Sequence, residues 1–372
     1  MNRTLAGRRP PHLRDGIGAD FSEVVDVRDA DARADSEPIR VIVRVRPPLP
    51  SDLGRGVGGG GGDGGGGGGS AVRVHPDGRT LSLTLDRGPE GGGAPRRSVT
   101  CRYDRVLGER SSQEEAFAEV SRCADAVSMG RNATVLAYGQ TGTGKSHTMF
   151  GSDSDYEGNG GGSGSPPEYG GGEALLGRGS GVVPRCVVRL FDVLRRISSS
   201  ASSRAQVSEA LVYVSFVQIY NDRAYDMFRD PDMRRPLEMR EDSGGGGTGA
   251  GGQRRGTNPR PLPSSPRPRG GVYLPGVSEF TVRSADECLR LLALGLRGRS
   301  VRETRMNRAS SRSHSIFRVT VERSSEDGAG RVQTTRGRID LVDLAGSERW
   351  DMGKDLGMDD KQVGEMTNIN SR

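Results

Sequence analysis

Apolar residues recur along this chain in runs that predict β-strands. Residues 39–47, IRVIVRVRP, form an apolar stretch with interspersed arginines that ends at Pro47, and they predict a strand. Residues 133–138, ATVLAY, predict a buried strand, and the long apolar run at 211–220 predicts another. Three further strands are predicted at 81–85, 315–322 and 337–346, the last of which runs into a glycine-containing loop.

Capping signals and helical spacing predict four helices between these strands. A capping box at 112–115, SQEE, opens a helix that we expect to end near Met129. The segment 284–287, SADE, opens another, expected to end near Arg297. Pro184 lies in the first turn of a further helix, where proline is tolerated, and the fourth helix begins at Lys145. Strands mixed with helices at these spacings predict an α/β sheet that is covered on both faces.

Three glycine-rich tracts interrupt these elements, near residues 54–70, 151–181 and 243–271. Glycine-rich segments do not offset their own ordering entropy, so we expect surface loops or disorder there. Residues 1–37 are charged, poor in aromatic residues and without steady periodicity, and they predict a disordered leader. The structured domain is therefore expected to occupy residues 38–372.

Net charge and cysteine content restrict the class of protein. The formal net charge of +6 indicates a polyanionic partner, which on charge alone is a nucleic acid, an anionic membrane or an acidic protein surface. The four cysteines form no CxxC pair, which is typical of reduced thiols in a cytosolic protein. The sequence contains no run of 18 apolar residues, so it predicts no membrane span. Only three of the 54 Lys and Arg residues are lysines, and one of the three is Lys145.

Residues 139–146, GQTGTGKS, match the phosphate-binding pattern G-x-x-x-x-G-K-[ST] without a gap. They follow a predicted strand and precede a predicted helix, as a P-loop does. The glycines let backbone N–H groups curl around phosphate oxygens, Lys145 neutralises β- and γ-phosphate charge, and the Ser146 hydroxyl reaches Mg²⁺. An ammonium is a compact point charge that a planar guanidinium does not replace in this position. The predicted nucleotide-binding residues of the loop are Gly139, Gln140, Thr141, Gly142, Thr143, Gly144, Lys145 and Ser146.

Two further motifs complete a site that would sense the nucleotide as well as bind it. Asp343-Leu-Ala-Gly346 ends a predicted apolar strand, and it supplies a metal-side aspartate and a glycine whose N–H would meet the γ-phosphate. Residues 307–314, NRASSRSH, place hydroxyls, an amide and an arginine in a loop before a strand. Taken alone, these two segments are also compatible with a strand-end turn and a serine-rich linker.

Together, the three motifs resemble those of the kinesin motor domain. GQTGTGKS is similar to its P-loop, NRASSRSH to its switch I, and residues 343–348, DLAGSE, to its switch II. RVRP at 44–47 is similar to its adenine-side motif, and the resemblance extends from about residue 39 to 372 outside the glycine-rich tracts. It implies an α/β P-loop NTPase fold with a central mixed, mostly parallel sheet and helices on both faces. It also implies ATP and Mg²⁺ as ligands, whereas a GTPase is disfavoured because the sequence carries no NKxD motif.

The resemblance implies nucleotide contacts outside the P-loop as well. The adenine would lie between RVRP on one side and His147 on the other. In switch I, two serine hydroxyls would contact the γ-phosphate and metal waters, with an asparagine nearby. The residues implied by these contacts are Arg44, Arg46, Pro47, His147, Asn307, Ser310 and Ser311.

Catalytic and metal-binding roles are implied in the same way. Arg312 and Glu348 would form a salt bridge that closes the site, and Glu348 would then help to order the attacking water. Gly346 would bind the γ-phosphate. The implied catalytic residues are Arg312, Glu348, Ser311 and Gly346, and the residues implied at Mg²⁺ or its waters are Ser146, Ser311 and Asp343.

The implied function is that of an ATP-driven motor head on microtubules, in the cytoplasm and cytoskeleton. The sequence ends at Arg372, where a kinesin motor domain would continue, so we expect an incomplete domain that lacks one central strand and the dimerisation region. The alternative is a non-motile nucleotide- or microtubule-binding fragment. Microtubules are the expected partner, and nucleic acid is not, because DLAGSE disfavours a nucleic-acid translocase.

Positive charge is concentrated in the tract at 243–271. Its flanks, at 235–242 and 271–280, predict the two strands of a small hairpin whose tip the tract replaces. Two interpretations are open: a solvated insertion, or an electrostatic tether that reaches the acidic microtubule surface. The arginines of the tract are Arg254, Arg255, Arg260, Arg267 and Arg269.

Overall fold

The computed structural model describes residues 24–26, 39–49, 71–85, 97–152, 176–200, 210–230, 235–241, 272–305, 312–326 and 332–348. The chain forms two compact units, residues 1–111 and 112–372. In the ranges given above, no helix is both long enough and apolar enough to cross a membrane. The tracts near 54–70 and 243–271 lie outside the described residues, so the disorder and tether predictions made for them stay predictions.

Short strands make up the described part of the N-terminal unit. They are β1 (Val24–Asp26), β2 (Ile42–Arg44), β3 (Val72–Val74), β4 (Thr80–Leu85), β5 (Arg97–Arg102) and β6 (Arg105–Leu107). Four of them form a sheet in the order β1-β5-β4-β3, and β2 pairs with β6 in parallel. The strand predicted at 81–85 is confirmed, whereas the one predicted at 39–47 is shorter. Within the predicted leader, β1 pairs with β5 in parallel, and the disorder predicted for residues 1–37 stays a prediction.

A hydrogen-bonded turn joins β3 to β4. The Asp77 carboxylate accepts a hydrogen bond from the Thr80 hydroxyl at 2.6 Å. It also accepts hydrogen bonds from the backbone N–H groups of Arg79 and Thr80, at 3.0 and 2.9 Å. These bonds, that of the Thr80 hydroxyl first, lower the pKa of Asp77 to about 2. Gly78 has a φ of 62°, a left-handed conformation that favours glycine. Polar groups thus fix the geometry of this hairpin.

A mixed sheet forms the centre of the second unit. Its strands and those of a small hairpin are β7 (Asn132–Ala137), β8 (Leu211–Tyr220), β9 (Arg223–Asp226), β10 (Arg240–Glu241), β11 (Val272–Tyr273), β12 (Phe280–Val282), β13 (Ser313–Glu326) and β14 (Val332–Asp343). The sheet order is β12-β8-β13-β14-β7, with β9 paired to β8. The predicted hairpin is confirmed as the antiparallel pair of β10 and β11.

Strand directions correct one part of the fold prediction. A mixed sheet is confirmed, but only β14 and β7 are parallel among the described pairs of this sheet, and the others are antiparallel. The predicted predominance of parallel pairs is therefore wrong for these strands. The physical reason for the longest pair is that residues 327–331 are too few to form the crossover that a parallel connection between β13 and β14 requires.

Helices of the second unit share one hydrophobic cluster with the sheet. They are α1 (Gln113–Ala118), α2 (Ser121–Ser128), α3 (Lys145–Met149), α4 (Val182–Ser200) and α5 (Ala285–Arg305). The sheet contributes alternate residues to this cluster, among them Val214, Phe216, Phe317 and Leu341. Because alternate strand residues point to the same side, the described helices pack on one face. The described helices meet the prediction of helices on both faces for this face, and for the other face it stays a prediction.

The helix predicted from the first capping box is interrupted. The box itself is confirmed: Ser112 Oγ accepts from the N–H of Glu115, and the Glu115 carboxylate accepts from the N–H of Ser112. The N–H of Val120 donates to the carbonyl of Phe117 at 2.9 Å, a tighter i to i−3 bond that ends α1. The chain then continues as α2 to Ser128.

Helix α5 is longer than predicted, because a glycine near its expected end serves packing. The helix continues to Arg305 rather than ending near Arg297. A Cβ added at Gly295 would lie 2.3 Å from the ring of Phe216, so only glycine allows this approach of helix and sheet. The ends of the tract near 151–181 are packed as well: a Cβ on Gly181 would lie 2.6 Å from the backbone of Met149. The prediction of a surface loop is therefore wrong at Gly181.

Strand β7 is an edge of the described sheet. It pairs with β14, and its residues alternate between exposed and partly buried. Leu136 is 57% exposed and Tyr138, just after the strand, is 74% exposed. The prediction that 133–138 form a buried strand is wrong for the described structure. The free edge of β7 and the face that carries Leu136 are covered by no described element.

Candidate nucleotide-binding site

The predicted P-loop connects β7 to α3 as a strand, loop and helix. Gly142 and Gly144 have φ values of 80° and 91°, which L-residues with a Cβ rarely adopt. Gly144 is also the N-cap of α3, whose first residue is Lys145. The sequence Gly-Thr-Gly-Lys thus turns the chain sharply, so that the backbone of the loop leads directly into the helix carrying Lys145 and Ser146.

The Lys145 ammonium lies over the backbone of its own loop. Its Nζ donates to the carbonyl oxygens of Gly139 and Gln140, at 2.8 Å each. Burial lowers the pKa of Lys145, and the carboxylates of Asp343 and Glu348 oppose this effect. Because the hydrogen-bond partners of the ammonium are neutral carbonyl groups, it can exchange them for an anion that enters the loop.

Asp343, the last residue of β14, lies directly beside the P-loop helix. Its Oδ2 accepts a hydrogen bond from the Ser146 hydroxyl at 2.6 Å and another from Arg299 at 3.0 Å. The residue is 1% exposed, and its Oδ1 is buried without a hydrogen-bond partner. A hydroxyl and a carboxylate with an unpaired oxygen are the ligand types that Mg²⁺ prefers. These residues therefore fit the predicted metal, directly or through its waters.

Arg299 is a residue of the site that sequence reasoning missed. It lies on α5, its side chain is 7% exposed, and its guanidinium carbon is 5.7 Å from the centre of the Phe150 ring. The pairing with Asp343 neutralises a carboxylate that would otherwise be a buried, unpaired charge. Arginine is so frequent in this sequence that one more arginine in a helix gave no signal, and only the fold brings the two residues together.

The segment after Asp343 closes against the P-loop through backbone and side-chain contacts. The N–H of Ser347 donates to the carbonyl of Gly139 at 3.1 Å. The Glu348 carboxylate accepts from the N–H of Thr141 at 2.9 Å and also contacts the Thr141 hydroxyl. Burial opposes ionisation of Glu348, but hydrogen bonds from Thr141 and the charge of Lys145 outweigh it and lower its pKa. Gly346 lies close to both Thr141 and Glu348, since a Cβ at this position would be within 2.4 Å of each of them.

The start of β13 also contacts this segment. His314 Nδ1 accepts from the N–H of Ala345 at 3.1 Å, and burial lowers the pKa of His314. Arg312 precedes this strand and is half-buried. Asn307, Ser310 and Ser311 lie outside the described residues, so their predicted contacts, and the pairing of Arg312 with Glu348, stay predictions.

The predicted adenine-side residues belong to different units. Arg44, at the end of β2, donates to the carbonyl of Ser111 at 3.1 Å, and Arg46 donates to the carbonyl of Pro47 at 3.2 Å. Both contacts lie within the N-terminal unit. His147 is exposed on α3 in the second unit. An adenine site formed by these residues stays a prediction.

Known proteins are similar to this chain in sequence and fold. The family described as "Kinesin motor domain" matches residues 92–372. The kinesin-like protein KIN-5A of Oryza sativa subsp. japonica is 32% identical over 250 residues, which is 67% of this chain and 20% of that protein. The kinesin-like protein KIF11-A of Xenopus laevis is 33% identical over 273 residues, 73% of this chain and 21% of that protein.

A solved structure agrees with the sequence relatives. The fold matches that of a fast kinesin with a TM-score of 0.59 and 27% identity, over 89% of this chain and 71% of that one. The chain spans about a fifth of the length of the curated relatives it matches. The family match covers more than half of the chain and includes the P-loop and the DLAGSE segment. The chain therefore belongs to the kinesin motor domain family.

Proposed function

We propose that this chain is an ATP-hydrolysing motor head that works on microtubules. The observation that carries the proposal is the hydrogen bond between Ser146 of the P-loop and Asp343 of the DLAGSE segment. It places a hydroxyl and a carboxylate together where a nucleotide-bound metal is held in P-loop NTPases. The related fast kinesin was described for its ATPase mechanism and its interactions with microtubules, which supports both parts of the proposal.

ATP and Mg²⁺ are the ligands that these residues suit. Lys145 would exchange its two loop carbonyls for the β- and γ-phosphates, since an ammonium gains more from anionic oxygens than from neutral ones. Ser146 and Asp343 would hold the metal or its waters. When bound, Mg²⁺ supplies charge neutralisation at the β- and γ-phosphate oxygens.

Hydrolysis is assigned to the residues that border the γ-phosphate side of the loop. Glu348, whose carboxylate accepts from the N–H of Thr141 in the P-loop, would accept a hydrogen bond from the attacking water and orient it. Gly346 would offer its N–H, and Arg312 would pair with Glu348 to keep the site closed. Ser310, Ser311 and Asn307 complete this assignment, as do Arg44, Arg46, Pro47 and His147 around the adenine.

Lys145→Ala tests the nucleotide site. We expect ATP binding to be nearly abolished, because β- and γ-phosphate charge is left unpaired. Fluorescence titration measures the affinity, and Lys145→Arg tests whether a compact charge is required. Arg290→Ala, which removes an exposed pair with Asp286 on α5, is a matched control. An affinity within about twofold of the parent protein for Lys145→Ala would reject the P-loop assignment.

Microtubule-stimulated turnover tests the motor part of the proposal. We expect the steady-state ATPase rate of the chain to rise when microtubules are added, and co-sedimentation to depend on the nucleotide. Nucleotide binding without stimulation would support the alternative, a non-motile nucleotide- or microtubule-binding fragment. Localisation to microtubules in the cytoplasm is the corresponding expectation in cells.

A further inference from the structure

Gln113 is a buried polar residue beside the P-loop helix to which no motif assigns a role. It is the first residue of α1 and is 5% exposed. Its Nε2 lies 2.8 Å from the carbonyl oxygen of His147, 3.3 Å from that of Gly179 and 3.3 Å from His147 Nδ1. One amide therefore contacts the backbone and the ring of His147 and the end of a glycine-rich tract.

The contacts of this amide define the hydrogen-bonding state of the His147 ring. Two carbonyl oxygens face Nε2 of Gln113, so the amide nitrogen and not the amide oxygen has to point toward them. The amide nitrogen carries two hydrogens, of which one is directed to the carbonyl of His147 at 2.8 Å and the other is shared between the carbonyl of Gly179 and Nδ1 of His147 at 3.3 Å each. A proton on Nδ1 would point at these amide hydrogens, so Nδ1 is the accepting nitrogen of the ring. A neutral ring that accepts at Nδ1 carries its proton on Nε2, the nitrogen on the other side of the ring.

We propose that Gln113 is a positioning residue that fixes the tautomer and orientation of His147, and thereby the affinity of the site for the base of its nucleotide. The inference rests on the proposed function, which places His147 beside the base. The ring would present its Nε2–H as a donor to an acceptor of a purine nucleotide. Two hydrogen bonds of the capping box between Ser112 and Glu115 fix the start of α1, of which Gln113 is the first residue.

Glu114 offers a matched control from the same turn of α1. Its carboxylate contacts Arg185, whose Nε also donates to the carbonyl of Ser180 at 2.9 Å. Glu114 thus helps to hold the same tract end as Gln113, but no contact with His147 is recorded for it among the described residues. Glu114→Gln weakens the anchoring of the tract and leaves the amide of Gln113 unchanged.

The tautomer can be measured without any nucleotide. The chain contains four histidines, so ¹⁵N-histidine labelling gives a spectrum in which His147→Ala assigns the resonances of His147. We expect the full chain to show the Nε2–H tautomer at His147, and Gln113→Leu to show a mixture of tautomers. A predominant Nδ1–H form in the parent protein, or an unchanged spectrum in Gln113→Leu, would overturn the inference, whatever the nucleotide affinity.

Binding titrations measure the consequence for base recognition. ATP is compared with inorganic tripolyphosphate, which carries the phosphates without a base. In Gln113→Leu we expect ATP affinity to fall about fivefold, as for loss of one neutral hydrogen bond, and tripolyphosphate affinity to stay within about twofold. Glu114→Gln should leave both within about twofold. In the His147→Ala background, Gln113→Leu should add little further loss, because the two residues act as a unit.

The outcomes separate this inference from the proposed function. An equal loss of ATP and tripolyphosphate affinity in Gln113→Leu would show that Gln113 only supports the P-loop helix, and would overturn the inference. A full effect in Glu114→Gln would do so too, because the effect would then act through the tract. If the parent protein bound ATP no better than tripolyphosphate, the proposed base-side role of His147 would fail, and with it the nucleotide part of the inference.

Discussion

The two units of this chain are stabilised by different means. In the N-terminal unit, the buried apolar residues among those described are Leu81, Val106 and Leu107, and the hairpin turn depends on polar bonds. In the second unit, helices and sheet share one large apolar cluster around Phe216. A buried cluster resists local opening, whereas a turn near solvent gains little from each bond. We therefore expect the units to respond very differently to single substitutions.

The site depends on the well-packed unit. Lys145, Ser146 and Asp343 each lie at the end of an element that this cluster holds in place, so their side chains are positioned before a ligand arrives. The P-loop and the segment after Asp343 are loops that the hydrogen bond from the N–H of Ser347 to the carbonyl of Gly139 joins. Binding residues on loops that a rigid scaffold positions are common in proteins.

Phe216→Ala should give the largest loss of stability. Phe216 is fully buried, and its ring centre lies 6.2 Å from that of Phe150, 6.3 Å from Phe228 and 5.5 Å from Phe317. Removing the ring leaves a cavity in the cluster, and we expect the free energy of unfolding of the second unit to fall by about 3–5 kcal/mol. Phe280→Ala, whose side chain is 43% exposed, is the control and should cost clearly less. Urea titration followed by hydrogen exchange measures the change for each unit, and equal effects of the two variants would show that burial in this cluster does not set the stability of the second unit.

Local signals were predicted well from the sequence because the residues that carry them are neighbours in the chain. The P-loop turn needs glycines at fixed positions, and the capping box at 112–115 needs a serine and a glutamate three residues apart, so both are readable. The direction of strand pairs and the Arg299 to Asp343 contact depend on residues that meet only in the fold. Gly295 shows the same limit. From the sequence it is a residue of low helix propensity, whereas in the structure its missing Cβ allows the ring of Phe216 to pack against α5.

Arg299→Leu should be the next largest effect, and it tests whether buried charge matters as much as buried rings. The substitution leaves Asp343 buried without its cationic partner, and we expect about 3 kcal/mol of destabilisation. The double variant Arg299→Leu, Asp343→Asn removes the unpaired charge and should recover part of the loss. Thermal unfolding measures both. Additive losses in the double variant would show that the two side chains do not stabilise each other.

Gly295→Ala sharpens the comparison within the helix-covered face. The added methyl group would lie 2.3 Å from the ring of Phe216, so either the ring or α5 has to shift. Overpacking of this kind costs about 1–3 kcal/mol, more than the gain in helix propensity that alanine brings. The expected result is a loss of stability in Gly295→Ala relative to the parent protein by urea titration; if Gly295→Ala were the more stable, the close approach would not be limiting.

Asp77→Asn should have the smallest effect, and its pH dependence distinguishes the polar turn from the apolar cluster. The folded-state pKa of Asp77, about 2, lies below its ordinary value of 3.8, so the ionised form is favoured by folding. The stabilisation is present above the ordinary value and is lost as the pH falls through 3.8 toward 2. Asn keeps the shape of the side chain and cannot ionise, so we expect the variant to be less stable at neutral pH and to equal the parent protein near pH 2. Hydrogen exchange of the Arg79 and Thr80 amides across this pH range measures the stability of the turn directly. Glu322→Gln, which removes a carboxylate from β13 outside the turn, is the control variant. A difference between Asp77→Asn and the parent protein that stays constant with pH would show that the charge of Asp77 does not stabilise the turn.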